Sequence, residues 1–170
     1  LRHRIICSST ELSPLLKSKY IQSDTTGIYH EISSELKSGG KVFFCGTPCQ
    51  VSALHNSIPE NLQERLVTAD IICHGVPSQA AFDAYIRALE VKKGGRISAF
   101  SFRVKDNSQR HAHGFSYLLN KRGKERIVGG IYLQSSYYTA FKKYLLFRES
   151  CYSCPYATLN RVSDITLGDF

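Results

Sequence analysis

The spacing of apolar positions gives the two halves of the chain different characters. In "GIYHEISSELKSGG", Ile28, Ile32 and Leu36 recur at helical intervals and Gly39-Gly40 ends the run, which predicts a helix. "KVFFCG" is a short continuous apolar stretch, the mark of a buried strand, and it breaks at Gly46-Thr47-Pro48. A helix is expected from Cys49 through Leu54, with Pro59 closing the unit. "ERLVTADIIC" predicts a second strand ending at Cys73, and "HGVP" is its turn. The clearest helix lies in "SQAAFDAYIRALEVKKGG": Ser78 caps it, Phe82, Tyr85, Ile86 and Leu89 share a face, and Gly94-Gly95 stop it.

Beyond Gly95 the period changes. "RISAFSFRVK" and "GFSYLLNKRGKERIVGGIYL" alternate as antiparallel strands do, with a turn expected at Arg122-Gly123-Lys124. A helix over "SSYYTAFKKYLLF" leads into a cysteine loop, and "SDITLGDF" resembles a last strand. The fold class is therefore α/β, with a βα-type first half and a mixed, partly antiparallel second half packed around it. With no internal repeat and no clear linker, the pattern indicates one α/β domain over residues 1–170.

Composition adds limits. A domain of 170 residues can bury roughly 70% of its unfolded surface. The chain is 42% hydrophobic and 21% charged, ordinary for a globular protein. Its apolar runs fall well short of the ~20 residues of a membrane helix, and the start makes a poor signal peptide. A cytoplasmic address is the default expectation. There is no Met, and the sequence stops at Phe170 directly after an expected strand, which suggests a piece of a longer protein.

The net charge of +8 favours anionic partners such as nucleic acid, a phosphate-bearing cofactor or an acidic protein. The basic runs, "KSK", "VKK", "NKRGKER" and "FKKY", are short, scattered and beside no nucleic-acid motif. A solvated surface is the plainer reading, and no nucleic-acid partner is expected. Neither a dinucleotide fingerprint nor a phosphate-cradling loop motif occurs.

Chemistry concentrates in the cysteines. Cys49 and Cys73 each fall in a turn after an expected strand, where open α/β sheets place their ligands. Cys151 and Cys154 form a CxxC step in a downstream loop, short enough for both sulfurs to meet one metal or cluster. Four thiols suit tetrahedral zinc and an iron–sulfur cluster equally well. Disulfides are disfavoured in a domain with good apolar strands and no secretion signal. A thioredoxin-like pair would open a helix after a strand, whereas Pro155 and Tyr156 follow here. A nucleophilic Cys49 with His74 as base is a further alternative. Cys7 and Cys45 lie in apolar stretches and are expected to be ordinary buried cysteines.

Other residues are ambiguous alone. His111 and His113 in "RHAHG" suit a metal or a solvent-facing loop. Arg103 and Lys105, on alternate strand positions, suit a phosphate or an exposed face. Lys17 and Lys19 in "LLKSKYIQSD" share that ambiguity, and Asp164 and Asp169 are equally readable as turn or strand-end carboxylates.

Taken in order, "SKYIQSD", "GTPCQVSAL", "DIICHGVPS" with a following "FDAY", "FRVK", and "RESCYSCPYA" leading into "SDITLGDF" strongly resemble the coenzyme F-420 hydrogenase/dehydrogenase beta-subunit family. The resemblance runs from about Ser18 to Phe170. It implies a flavin- and iron–sulfur-containing electron-transfer protein in which Cys49, Cys73, Cys151 and Cys154 ligate a [4Fe-4S] cluster with FAD beside it. It further implies a ferredoxin-type donor or fused ferredoxin domain, and an organic hydride acceptor such as coenzyme F-420. Arg161, Lys19 or Arg103 would then serve as the cation near flavin N1, and Asp164 and Asp169 would support the cluster or the flavin. The chain departs from the family at His113-Gly114-Phe115, where Gly-Trp is common. The alternative from another class is a zinc-stabilised, non-redox binding module with a basic surface. A third reading is a family member that keeps the scaffold without catalytic use.

Overall fold

The computed structural model describes residues 1–105 and 113–168. Its elements in chain order are α1 (Ile28–Lys37), β1 (Val42–Gly46), α2 (Pro48–Ser57), β2 (Leu66–Ile71), α3 (Gln79–Lys93), β3 (Arg96–Lys105), β4 (His113–Lys121), β5 (Lys124–Ile131), α4 (Ser136–Lys142), α5 (Glu149–Tyr152) and β6 (Ile165–Leu167), with short 3-10 turns between some of them. The class is mixed α/β, with one parallel and one antiparallel sheet. The chain packs as two compact units: Leu1–Ser9, Ser23–His74 and Ser150–Phe170 form the first, and Thr10–Gln22 with Gly75–Glu149 the second. No helix among the described residues is long and apolar enough to cross a membrane.

The first unit is built on a parallel sheet in the order β1-β2-β6. Val42 stands opposite Leu66 and Gly46 opposite Asp70, while Ala69 and Ile71 face Ile165 and Leu167. Strand side chains alternate between faces, so Phe44 and Leu66 point to the same side. There they meet Ile28, Ile32 and Leu36 of α1 and Val51, Leu54 and the adjoining Ile58 of α2 in one core. The helical spacing of those apolar residues is what lets both helices lie on the sheet.

The opposite face is apolar but open. It carries Phe43, Val67, Ile71, Ile165 and Leu167, all exposed, and Cys45 belongs to it. Cys45 is thus exposed, as is Cys7, rather than buried as the apolar run implied. The reason is the two-residue period: "VFFCG" is apolar throughout, but Val42 and Phe44 point to the helices while Phe43 and Cys45 point away.

The second unit holds the antiparallel sheet β3-β4-β5. Arg122 and Gly123 both take positive φ, 52° and 74°, the pattern of a two-residue type I′ hairpin. Lys124 already pairs with Lys121, so the turn is one residue shorter than expected. The β3–β4 register shifts between Ser98 and Ser101 and again before Val104, and Ala99 adopts φ 50° there. Ile21, Phe82, Phe102 and Tyr137 form the core, ringed by Tyr20, Tyr85, Ile86, Phe100 and Leu146. Phe82 meets both Phe100 and Tyr137 edge-on at 5.3 Å, the geometry that aromatic quadrupoles favour.

The helix after β5 is shorter than its pattern. α4 stops at Lys142 because Tyr144 turns left-handed, φ 62°. Tyr144 N–H then donates to Phe141 O at 3.0 Å and Leu145 N–H to Ala140 O at 2.9 Å. These are the two bonds of a Schellman stop, closed here by tyrosine where glycine is usual.

Leu54 is fully buried between α1 and the sheet. Leu54→Ala is expected to cost about 2–5 kcal/mol, read as a lower urea midpoint at unchanged slope.

Candidate cysteine site at the rim of the parallel sheet

β1 ends at Gly46, where a Cβ would come within 2.9 Å of the Phe44 ring and 3.2 Å of Gln50 Oε1. The chain can therefore turn tightly into α2, whose first residues are Pro48 and Cys49. Gln50 Oε1 accepts from Thr47 N–H at 3.0 Å and from Thr47 Oγ1 at 3.1 Å. Its Nε2 donates to Ser23 O at 3.1 Å. Thr47 Oγ1 and Cys49 Sγ lie 3.1 Å apart, within hydrogen-bond reach. A pinned first helical turn thus holds an exposed thiol.

β2 ends at Ile71, two residues before the expected Cys73, because β6 runs out at Leu167. A last bond from Ile72 N–H to Leu167 O at 2.8 Å closes the ladder. Cys73 follows, half-buried. Since β1 and β2 are parallel, Cys49 and Cys73 lie just past the carboxyl ends of neighbouring strands, where open α/β sheets hold ligands.

Cys151 sits in α5, a single helical turn where a loop was expected, and Cys154 lies just beyond it. Both are half-buried. Two residues on, Tyr156 Oη donates to Ser52 Oγ at 2.9 Å. Ser52 is three residues after Cys49, on the same side of α2. The CxxC segment therefore docks onto the helix that carries Cys49.

None of the six cysteines is in a disulfide. The donor set fits zinc or an iron–sulfur cluster by its chemistry. Among the described residues no three His, Cys, Asp or Glu side chains stand close enough to hold one metal ion. Cys49 and Cys73 lie past neighbouring strand ends, and Cys151 and Cys154 lie in or beside the docked segment.

Behind the rim lies a charged network. Arg161 Nη2 stands 2.9 Å from Asp70 Oδ2 and donates to Ile71 O at 3.0 Å. Its Nε donates to Thr166 Oγ1 at 3.2 Å and its Nη1 to Thr158 O at 3.4 Å. Asp70 is fully buried, and no described residue gives either oxygen a well-directed hydrogen bond, since the contact from Nη2 is aimed at Ile71 O. The contact is thus a charge pairing. Removing one partner of such a pair costs about 3–5 kcal/mol, the lower figure applying because Arg161 keeps 23% of its side-chain surface in solvent.

Asp164 is tied to the same strand. Its Oδ2 accepts from Thr68 N–H and Thr68 Oγ1, both at 2.7 Å, and its own N–H donates back to Thr68 Oγ1 at 3.2 Å. His55 Nε2 lies 3.3 Å from that hydroxyl. The Thr68 side-chain and backbone donors hold the Asp164 carboxyl below its usual value.

The remaining candidates sit elsewhere. Lys19, in the second unit, donates to Leu15 O, Leu16 O and Lys17 O at 3.2, 2.7 and 3.2 Å. Burial, then the Lys17 charge, lowers its pKa. Arg103 lies on β3, and its charge acts on Tyr138, opposing the upward push that burial gives that phenol. Asp169, His111 and the side chains of Lys105 and His113 lie outside the described residues.

Sequence reasoning missed Ser52, Tyr156, Thr68 and Asp70. One signal was available: Thr68 and Asp70 alternate with apolar residues in "LVTADI", which puts an acid on the buried face with Leu66, and such an acid needs a cation.

Asp164 also generates a pH test. Because its folded pKa is lowered, its stabilisation is complete above the ordinary value of 3.8 and is lost as pH falls through the folded value. Asp164→Asn is expected to lower stability at pH 7 by about 1 kcal/mol, allowing for solvent screening. Thermal melts of the two proteins are expected to converge below the ordinary carboxylate range.

Residues 39–170 match a family described as the C terminus of the beta subunit of Coenzyme F420 hydrogenase/dehydrogenase. No curated protein and no solved structure matches the chain. The matched stretch contains Cys49, Cys73, Cys151 and Cys154 together with Arg161 and Asp164, while Lys19 precedes it. On this match over most of its length, the chain belongs to the coenzyme F420 hydrogenase/dehydrogenase beta-subunit family of oxidoreductases.

Proposed function

We propose that the chain is an iron–sulfur flavoprotein module of this redox family, working in the cytoplasm. Cys49, Cys73, Cys151 and Cys154 would hold a [4Fe-4S] cluster, and FAD would lie beside it. The observation that carries the reading is the Tyr156–Ser52 bond, which seats the CxxC segment on the helix bearing Cys49, at the rim that Cys73 shares. Zinc would suit the same donors; the family match tips the choice toward redox chemistry.

When bound, such a cluster supplies one-electron steps and FAD pairs them into hydride transfer. The protein's own groups orient the site. Thr47 and Gln50 fix the turn that presents Cys49, and Tyr156 holds the CxxC segment in place. Arg161 and Asp164 tie the last strand to β2. In this reading a cation from Arg161, Lys19 or Arg103 stabilises reduced flavin, and Asp169 supports the cofactor. The donor is a ferredoxin-type protein or fused domain, and the acceptor an organic hydride acceptor such as coenzyme F420.

Anaerobic purification with iron, zinc and flavin analysis tests this. The expected result is a broad shoulder near ~400 nm with about four irons per chain, lost in Cys151→Ala, and flavin bands beside it. A colourless protein with zinc or no metal after anaerobic reconstitution would overturn the cluster and favour a zinc-stabilised binding module, for which the charge of +8 predicts salt-dependent binding to anionic polymers.

A further inference from the structure

We infer that Arg161 is a positioning residue that sets the separation between Cys73 and the Cys151/Cys154 pair. The inference rests on the cluster reading for its purpose and on geometry for its content. One planar guanidinium touches both thiol-bearing segments. On one side it takes Ile71 O, two residues before Cys73, and stands against Asp70. On the other it takes Thr158 O, four residues after Cys154, and Thr166 Oγ1. All these groups belong to the first unit.

Asp70 makes the arrangement asymmetric in a useful way. Its buried carboxylate draws the cation inward but receives no well-directed hydrogen bond from any described residue. The N–H groups of Arg161 are thereby left for the two segments. A lysine would satisfy the charge as a compact point but has no fork to span them. Charge compensation and spacing are therefore separable by mutation.

The test uses the full chain, reduced and metal-free, treated with dibromobimane, which joins thiols only a few ångströms apart; products are mapped by peptide mass spectrometry. In the wild-type chain Cys73 is expected to join Cys151 or Cys154, alongside Cys151–Cys154 linkage within the CxxC. In Arg161→Lys, the melting temperature and the internal linkage are expected to persist while Cys73 linkage falls several-fold. Asp70→Leu/Arg161→Met, which removes both charges, is expected to fold and show the same loss, and it decides the matter if the lysine variant unfolds. After anaerobic reconstitution, either variant is expected to retain about tenfold less iron, as outer-shell substitutions do.

Unchanged Cys73 linkage in the variants would overturn the inference, as would its absence in the wild-type chain. Loss of both linkages in step with the melting temperature would reduce Arg161 to a general stabiliser and equally overturn it. Should the wild-type chain bind no iron while the linkage pattern follows expectation, the positioning role stands and the cluster reading fails.

Discussion

Parallel pairing of β2 with a strand on each side is the constraint on which the rest of the first unit depends. It brings the carboxyl ends of β1 and β2 to one rim, and so places Cys49, at the start of α2, and Cys73 just past neighbouring strand ends. On its other side it accepts β6, drawing in the segment that ends the CxxC loop. Hydrogen bonds alone would make three residues of β6 a weak addition. Asp164 on Thr68 reinforces the start of the short ladder and Arg161 on Asp70 its middle, both with charged contacts.

Those contacts divide the labour between affinity and direction. Asp164 accepts directed bonds from a backbone N–H and a hydroxyl, and both are sensitive to its protonation. Arg161 meets a carboxylate that offers charge but accepts no directed bond, so its geometry is set by carbonyls instead. In the second unit, Lys19 shows a third pattern, an ammonium closed over its own turn by three carbonyls.

Much of this was legible in the sequence because it depends on local period. The apolar positions of α1, the strand in "KVFFCG" and the Ser78 cap followed from neighbours a few residues apart. Three things did not. Cys45 was placed inside because a continuous apolar run hides which face is covered. The end of α4 was missed because Tyr144 occupies a left-handed position normally marked by glycine. The grip of Asp164 on Thr68 joins residues 96 apart, beyond the reach of any window. The sequence singled out four cysteines in expected turns, of which Cys49 proves to open α2 and Cys151 to sit in α5; the docking bond of Tyr156 came only from the fold.

The nesting of the two units bears on the order of folding. The second unit is complete in sequence by Glu149, whereas the first waits for residues 150–170. Domains fold largely as units while the chain emerges from the ribosome, and distant pairings form slowly. During synthesis the aromatic-cored unit can therefore form while β2 still lacks its last neighbour and Asp70 its cation. The half-built sheet keeps a buried charge unbalanced and stays open, so Cys49 and Cys73 wait at the strand ends until the CxxC segment, Arg161 and β6 follow. Assembly of the rim then follows completion of the second unit, because Arg161 and Asp164 come after Glu149 in the sequence, and it needs no separate signal.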